Sequence, residues 1–170
     1  MTKLFCFGLG YVATQWVKAY PALKYQGTKQ NEDIIFNQFQ QFDSAILDDY
    51  THFLISIPPI HGQDLVLDRY ADYFKKRGSS IKWIGYLSAT NVYGDHQGQW
   101  VDEKTLPVPL SKRGHHRWMA EKKWLSLFET YQCPVHIFRL SSIYGPHRSS
   151  FEREYVHRTA LLPHYGHRYG

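Results

Sequence analysis

Short apolar runs alternate with amphipathic stretches along most of this chain, and that alternation restricts its fold more than any other feature. Residues 3–8, 23–27, 33–39, 52–57, 81–87 and 135–140 read as strands, the run at 33–39 being the weakest. Helices are predicted where apolar residues recur at helical spacing. These are 11–20 (Ala13, Trp16, Val17, Tyr20), 63–77 (Val66, Tyr70, Tyr73, Phe74) and 113–131 (Ala120, Trp124, Leu127, Phe128, Tyr131). A short helical turn is expected at 42–50; Pro21 stops the first helix and Gly78 closes the second. Strands joined by helical crossovers pair in parallel, and ligands of such sheets bind beyond the carboxyl ends of the strands. Chemistry is therefore sought at 8–13, 27–31, 57–62, 88–94 and 141–148. The stretch 94–112, with Gly94, Gly98, Pro107 and Pro109, has no period and is expected to be a long loop.

The chain's 170 residues, 43% of them hydrophobic, suit one domain, expected at 1–148 with a short tail at 149–170. No apolar run approaches the roughly 20 residues of a membrane span, and the first residues lack the pattern of a secretory leader. Two cysteines, Cys6 and Cys133, make neither a disulfide framework nor a four-cysteine zinc site, so a reducing, cytoplasmic setting is expected. The net charge of +5 is scattered apart from Lys75-Lys76-Arg77 and Lys112-Arg113, and no nucleic-acid-binding motif accompanies it; no nucleic-acid partner is expected. His147, His157, His164 and His167 crowd the carboxyl end without a metal-ligand spacing, so no metal site is expected.

Gly8-Leu9-Gly10-Tyr11-Val12-Ala13 lies between a predicted strand and a predicted helix. Gly8 would permit a tight turn, Gly10 a close approach of backbone to a diphosphate, and Ala13 close packing of helix on strand. The helix start at Tyr11 and Val12 would offer free N–H groups and a positive dipole. A plain tight turn is the alternative. After the next strand comes Gly27-Thr28-Lys29-Gln30, where a carboxylate would grip the ribose 2′-hydroxyl of NAD; a hydroxyl, an ammonium and an amide suit a 2′-phosphate instead. This favours NADP over NAD, against the alternative that Lys29 is a solvated loop residue. Ser56-Ile57-Pro58-Pro59 ends the strand at 52–57 with two residues that cannot donate N–H groups. That makes either a rigid wall beneath a cofactor or a stiff loop.

These segments, with 86–95 (Tyr86-Leu87-Ser88-Ala89-Thr90-Asn91-Val92-Tyr93-Gly94-Asp95) and 138–146 (Phe138-Arg139-Leu140-Ser141-Ser142-Ile143-Tyr144-Gly145-Pro146), resemble the extended or atypical short-chain dehydrogenase/reductases. The resemblance is nearest to the nucleotide-sugar epimerase/dehydratase-like proteins and covers about residues 3–150. It implies a Rossmann-type doubly wound parallel sheet, strand order 3-2-1-4-5-6, that binds NAD or NADP. It places Gly8, Gly10, Tyr11, Val12, Thr28, Lys29, Ser56, Ile57, Pro58 and Ser88 beside the dinucleotide. It also implies a Ser/Thr–Tyr–Lys set that moves a proton while the cofactor moves hydride, a small-molecule substrate such as a nucleotide sugar, and a homodimer built on the longest helices.

The chain departs from the family at the catalytic positions. The family's Ser/Thr, four residues before the Tyr of its VYG motif, is Ala89 here, between Ser88 and Thr90. Counting back from Glu121 puts Arg113 where the family has its Tyr and Arg117 where it has its Lys, and no YxxxK occurs in 88–131. A guanidinium does not serve as a base. Substitute candidates are Thr90, Tyr93, His115 and Arg117, with His116, Asp102 and Glu103 beside them. Packing for Tyr93 and solvation for the histidines are the simpler readings. Extended relatives continue into a substrate-holding region, so a sheet without a full carboxyl-terminal substrate domain is expected, as in a shortened relative. Three functions remain open: an oxidoreductase or epimerase with altered catalytic residues, a non-catalytic NADP-binding sensor or interaction module, and an inactive relative.

Overall fold

The computed structural model describes residues 2–29 and 42–148. The strand expected at 33–39 and the tail at 149–170, with His157, His164 and His167, lie outside the described residues.

Five strands form one parallel sheet: β1 (Lys3–Phe7), β2 (Lys24–Gly27), β3 (His52–Ile55), β4 (Trp83–Ala89) and β5 (Val135–Leu140), in the order β2-β1-β3-β4-β5. This is the expected order once 33–39 is set aside. The helices are α1 (Tyr11–Ala19), α2 (Leu65–Arg77) and α3 (Lys112–Tyr131), with a 3-10 turn at Ser44–Asp49.

Alternate residues of each strand face opposite sides of the sheet. Phe5, Phe7, Phe53, Ile55, Ile84 and Tyr86 point to the side covered by α2 and α3, where they bury Tyr70, Phe74, Trp124 and Leu127 in an aromatic-rich core. Leu4, Cys6 and Leu54 point to the other side and meet Ala13 and Val17 of α1. Beyond α1 that second face carries Trp83, Leu87, Phe138 and Leu140 along an apolar groove.

Helix ends follow from local chemistry. The Asp64 carboxylate accepts the N–H groups of Val66 and Leu67 at 3.1 and 3.0 Å, capping α2, and its other oxygen accepts Trp124 Nε1–H at 2.8 Å. Burial pushes this carboxyl above its ordinary range even though those three donors pull it down. Gly78 ends α2 with φ +40°, and Ser111 caps α3 by accepting Gly114 N–H at 3.0 Å.

Several predicted boundaries move. β3 ends at Ile55: Ser56 N–H still donates to Phe7 O at 2.9 Å, but Pro58 and Pro59 beyond it have no N–H to carry the ladder further. β4 runs on to Ala89 because β5 pairs with it that far, Ser88 opposite Arg139 and Ala89 opposite Leu140. Phe128 and Tyr131, which share the helical spacing of Ala120, Trp124 and Leu127, do not share their burial. They are exposed at the end of α3, past the helices that bury Trp124, and Tyr131 stacks instead under the Lys75 ammonium, 6.0 Å from its ring centre. No helix among the described residues is long and apolar enough to cross a membrane.

Candidate functional site

β1 and β3 are neighbours, and the crossover from β1 runs to β2 on one side while that from β3 runs to β4 on the other; such switch points open a crevice. A cleft of about 210 Å³ lies there. Three segments wall it: the turn after β1 with Ser56 from the end of β3 against it, the end of β4 with α3, and the segment after β5.

The first wall is backbone. Gly8 has φ +93°, and a Cβ there would fall 2.8 Å from Ser56 Oγ and 2.9 Å from Ile57 Cγ1, so the protein itself demands glycine. Gly8 N–H donates to Thr28 Oγ1 at 2.9 Å and Leu9 N–H to Thr28 O at 2.8 Å, while the Ser56 hydroxyl donates to Gly8 O. Gly10 is different. A Cβ there would meet nothing within 4 Å, so no packing requires a glycine; the space opens onto the cleft. Gly10 is also the N-cap of α1 and has no side chain to cap it, and the first turn holds no acidic residue. The leading N–H groups of a helix have no intrahelical partners, so they and the helix dipole present an anion-binding end.

The second wall is made of side chains. Arg117 reaches from α3 and donates from Nη1 to Leu87 O at 3.0 Å. Ser88 donates to Glu121 Oε1 at 2.5 Å, and Glu121, 1% exposed, receives Arg139 through Nε at 3.1 Å and Nη2 at 2.8 Å. That bond to Glu121 holds the Arg139 guanidinium above its ordinary value. Arg139 in turn covers the Tyr93 ring, 4.7 Å from its centre. The third wall comes back over the first: Tyr11 Oη donates to Pro146 O at 3.1 Å.

Of the residues singled out in the sequence, the cleft brings together Gly10, Tyr11, Val12, Ser56, Ser88 and Arg117. Gly8, Ile57 and Thr28 lie beneath the turn and set its shape, Thr28 at 1% exposure. Lys29 and Pro58 are exposed at the ends of β2 and β3. Thr90 sits exposed in a single 3-10 turn and His115 is exposed with its ring 5.9 Å from that of Trp118. Tyr93 is 7% exposed and donates its hydroxyl to Asp102 O at 2.8 Å. Asp102 accepts from Thr105 and Lys104, bonds that hold its carboxyl below the usual range and shape the loop tip. Among the described residues, no group of three or more His, Cys, Asp or Glu side chains is placed to hold a metal ion.

Two features escaped the sequence reading. One is the Ser88–Glu121–Arg139 chain, for which a signal existed: the Ala120, Trp124, Leu127 stripe puts Glu121 on a buried face, where a carboxylate requires a cation. The other is Arg148, in the third wall. It follows the Gly145-Pro146 pair closely, but nothing in its spacing predicts its direction.

A parallel sheet with a glycine turn leading into an uncapped helix at its switch point defines the Rossmann-type class of α/β fold. The family model described as the NAD dependent epimerase/dehydratase family matches residues 68–164, and the chain belongs to that family. A functionally unknown conserved protein from Silicibacter pomeroyi DSS is similar in structure, with a TM-score of 0.77 and 36% identity over 90% of this chain and 57% of that one. UDP-glucuronic acid 4-epimerase from Bacillus cereus, in complex with NAD, gives a TM-score of 0.61 at 18% identity over 86% of this chain and 58% of that one. RMD from Pseudomonas aeruginosa, complexed with NADPH, gives 0.64 at 17% identity over 89% and 57%. The last two share the fold. This chain thus spans a little over half the length of each of the three.

Proposed function

We propose that this chain binds a nicotinamide dinucleotide with its diphosphate at the backbone of residues 10–12, and prefers NADP. The observation that carries the reading is Gly10: a glycine that no contact among the described residues requires, at the uncapped start of a helix, facing a cleft whose described lining holds two arginines and no carboxylate. Family membership and the dinucleotides named in two structural neighbours support it. The preference rests on Lys29, a cation at the end of β2 where a carboxylate would favour NAD.

When bound, the dinucleotide would supply hydride transfer. The chain's own residues position it. Thr28 and Ser56 fix the turn that aims the α1 N–H groups. Arg117, tethered to Leu87 O, places a donor fork beside Ser88 for a ribose hydroxyl or an anionic group. Ser88, whose proton is given to Glu121, keeps its oxygen lone pairs as acceptors at the cleft wall. A nucleotide sugar is the substrate class to which the family points.

The usual tyrosine–lysine proton shuttle is not part of this reading. Counted back from Glu121, Arg113 and Arg117 stand at its two positions, Ala89 stands at the Ser/Thr position, and the Tyr93 hydroxyl is engaged by Asp102 O. Those observations favour a second reading, a binding module without turnover. Fluorescence titration with NADPH and NADH tests the first claim: saturable binding with NADPH tighter is expected, and a folded sample that binds neither would refute it. Exchange of hydride label between bound cofactor and nucleotide sugars then separates the readings, exchange favouring the enzyme and its absence the module.

A further inference from the structure

We propose that Arg148 is a diphosphate-gripping residue, closing over the dinucleotide from the side opposite the α1 N–H groups; the proposal rests on the dinucleotide reading above. Residues 145–148 form a tight turn closed by Gly145 N–H to Arg148 O at 3.0 Å and Arg148 N–H to Gly145 O at 2.9 Å. The turn is seated on the first residue of α1. Tyr11 Oη donates to Pro146 O, and a Cβ at Gly145 would collide with that same hydroxyl, so the two segments fit only with glycine there. The Arg148 guanidinium lies over the Tyr11 ring, 5.2 Å from its centre. Its charge is therefore held beside the helix start whose N–H groups Gly10 leaves open.

Arg148 Nε is buried and has no hydrogen-bond partner among the described residues. Burying a donor of a charged group without an acceptor is costly, and a ligand oxygen would relieve that cost. Among the described residues, the lining of the cleft includes no carboxylate. Arg139, nearby in sequence, is already committed to Glu121. A guanidinium presents a planar fork that matches two phosphate oxygens, and the aromatic face beneath it fixes its plane. The grip thus has two jaws from distant parts of the chain, the turn after β1 and the turn after β5.

A nucleotide sugar also carries a diphosphate, so the test compares sources. The full-length chain and its Arg148→Ala and Arg148→Lys variants are titrated with NADPH, with inorganic pyrophosphate as competitor, with adenosine 2′-monophosphate and with UDP-glucose. Arg148→Ala is expected to weaken NADPH about 10- to 100-fold, the range of a charge-assisted bond. Arg148→Lys should recover part of that, since it keeps the charge and loses the fork. Pyrophosphate should compete well against the native chain and poorly against Arg148→Ala, while adenosine 2′-monophosphate should bind all three alike. Unchanged NADPH affinity in Arg148→Ala overturns the proposal and leaves the dinucleotide reading standing. An equal loss for adenosine 2′-monophosphate, or a loss confined to UDP-glucose, also overturns it. A folded native chain that binds no NADPH refutes the underlying reading instead. If Arg148→Ala unfolds early, Arg148→Lys decides: native-like NADPH and pyrophosphate affinities in it overturn the fork.

Discussion

The turn after β1 and the end of β4 face each other across the cleft, and they are built of different material. The first is backbone: Gly8 shapes it, Gly10 leaves it open, and the groups it offers are N–H donors that any sequence would carry. The second is side chain: Ser88, Glu121, Arg139 and Tyr93 hold one another, and Arg117 is tied to Leu87 O. A backbone site survives sequence change provided its glycines remain. A side-chain site can be remade by single substitutions, because each of its bonds depends on one side chain. Diphosphate binding and proton transfer can therefore part company within one cleft.

The largest effect expected of this difference is on stability. Arg139→Ala would strand Glu121 as a buried unpaired carboxylate and cost about 3–5 kcal/mol in denaturant unfolding. Arg139→Met with Glu121→Leu should restore most of it; a loss below about 1 kcal/mol for Arg139→Ala would show that the pair does not support the second wall. Next comes Gly10→Asp, which should weaken dinucleotide binding about a hundredfold or more, by charge and bulk at the proposed diphosphate position, without lowering the unfolding midpoint, because a Cβ there meets open space and an aspartate suits the N-cap of α1. Gly8→Ala reverses the pattern. It should destabilise the fold by about 1–3 kcal/mol, through its positive φ and contact with Ser56 and Ile57. Equal effects of the two glycine substitutions on stability would erase the distinction between a shaping and an opening glycine. Lys29→Asp should move the NADPH-to-NADH affinity ratio about tenfold towards NADH; an unmoved ratio removes the basis for the NADP preference.

The smallest effect concerns the floor beneath the turn. Burial pushes the Cys6 thiol up to about 12 and raises that of Cys133 as well. Burial thus favours the neutral form of both thiols, and the native chain at pH 8 should resist a thiol-specific reagent that labels both cysteines in denaturant. Rapid native labelling at Cys6 would show that α1 and the turn before it do not stay closed on β1.

The fold was legible where one physical rule acts alone. Apolar runs predicted the strands of the described sheet, helical spacing found Tyr70, Phe74 and Trp124, and Gly78 marked the end of α2. The glycine turn was legible because backbone geometry restricts residue type strongly there. Legibility failed where two distant segments meet. Asp64 falls inside the helix predicted at 63–77, and nothing local announces that its carboxylate caps α2 and is shared with Trp124. Ser88 reads as a ligand-facing serine until Glu121 arrives from α3. Tyr93 and His115 stood near the right loop, but the first turns inward to Asp102 O and the second lies exposed outside the cleft. Arg148 gained its position from Tyr11, far away in the sequence.

Backbone amide resonances of the labelled chain, followed during NADPH addition, test the account most directly. It predicts that Gly10, Tyr11 and Val12 shift first and furthest, with saturation, and that Gly10→Asp abolishes those shifts while the rest of the spectrum keeps its native dispersion. Saturable binding that leaves these three amides unmoved, and perturbs another surface instead, would contradict it.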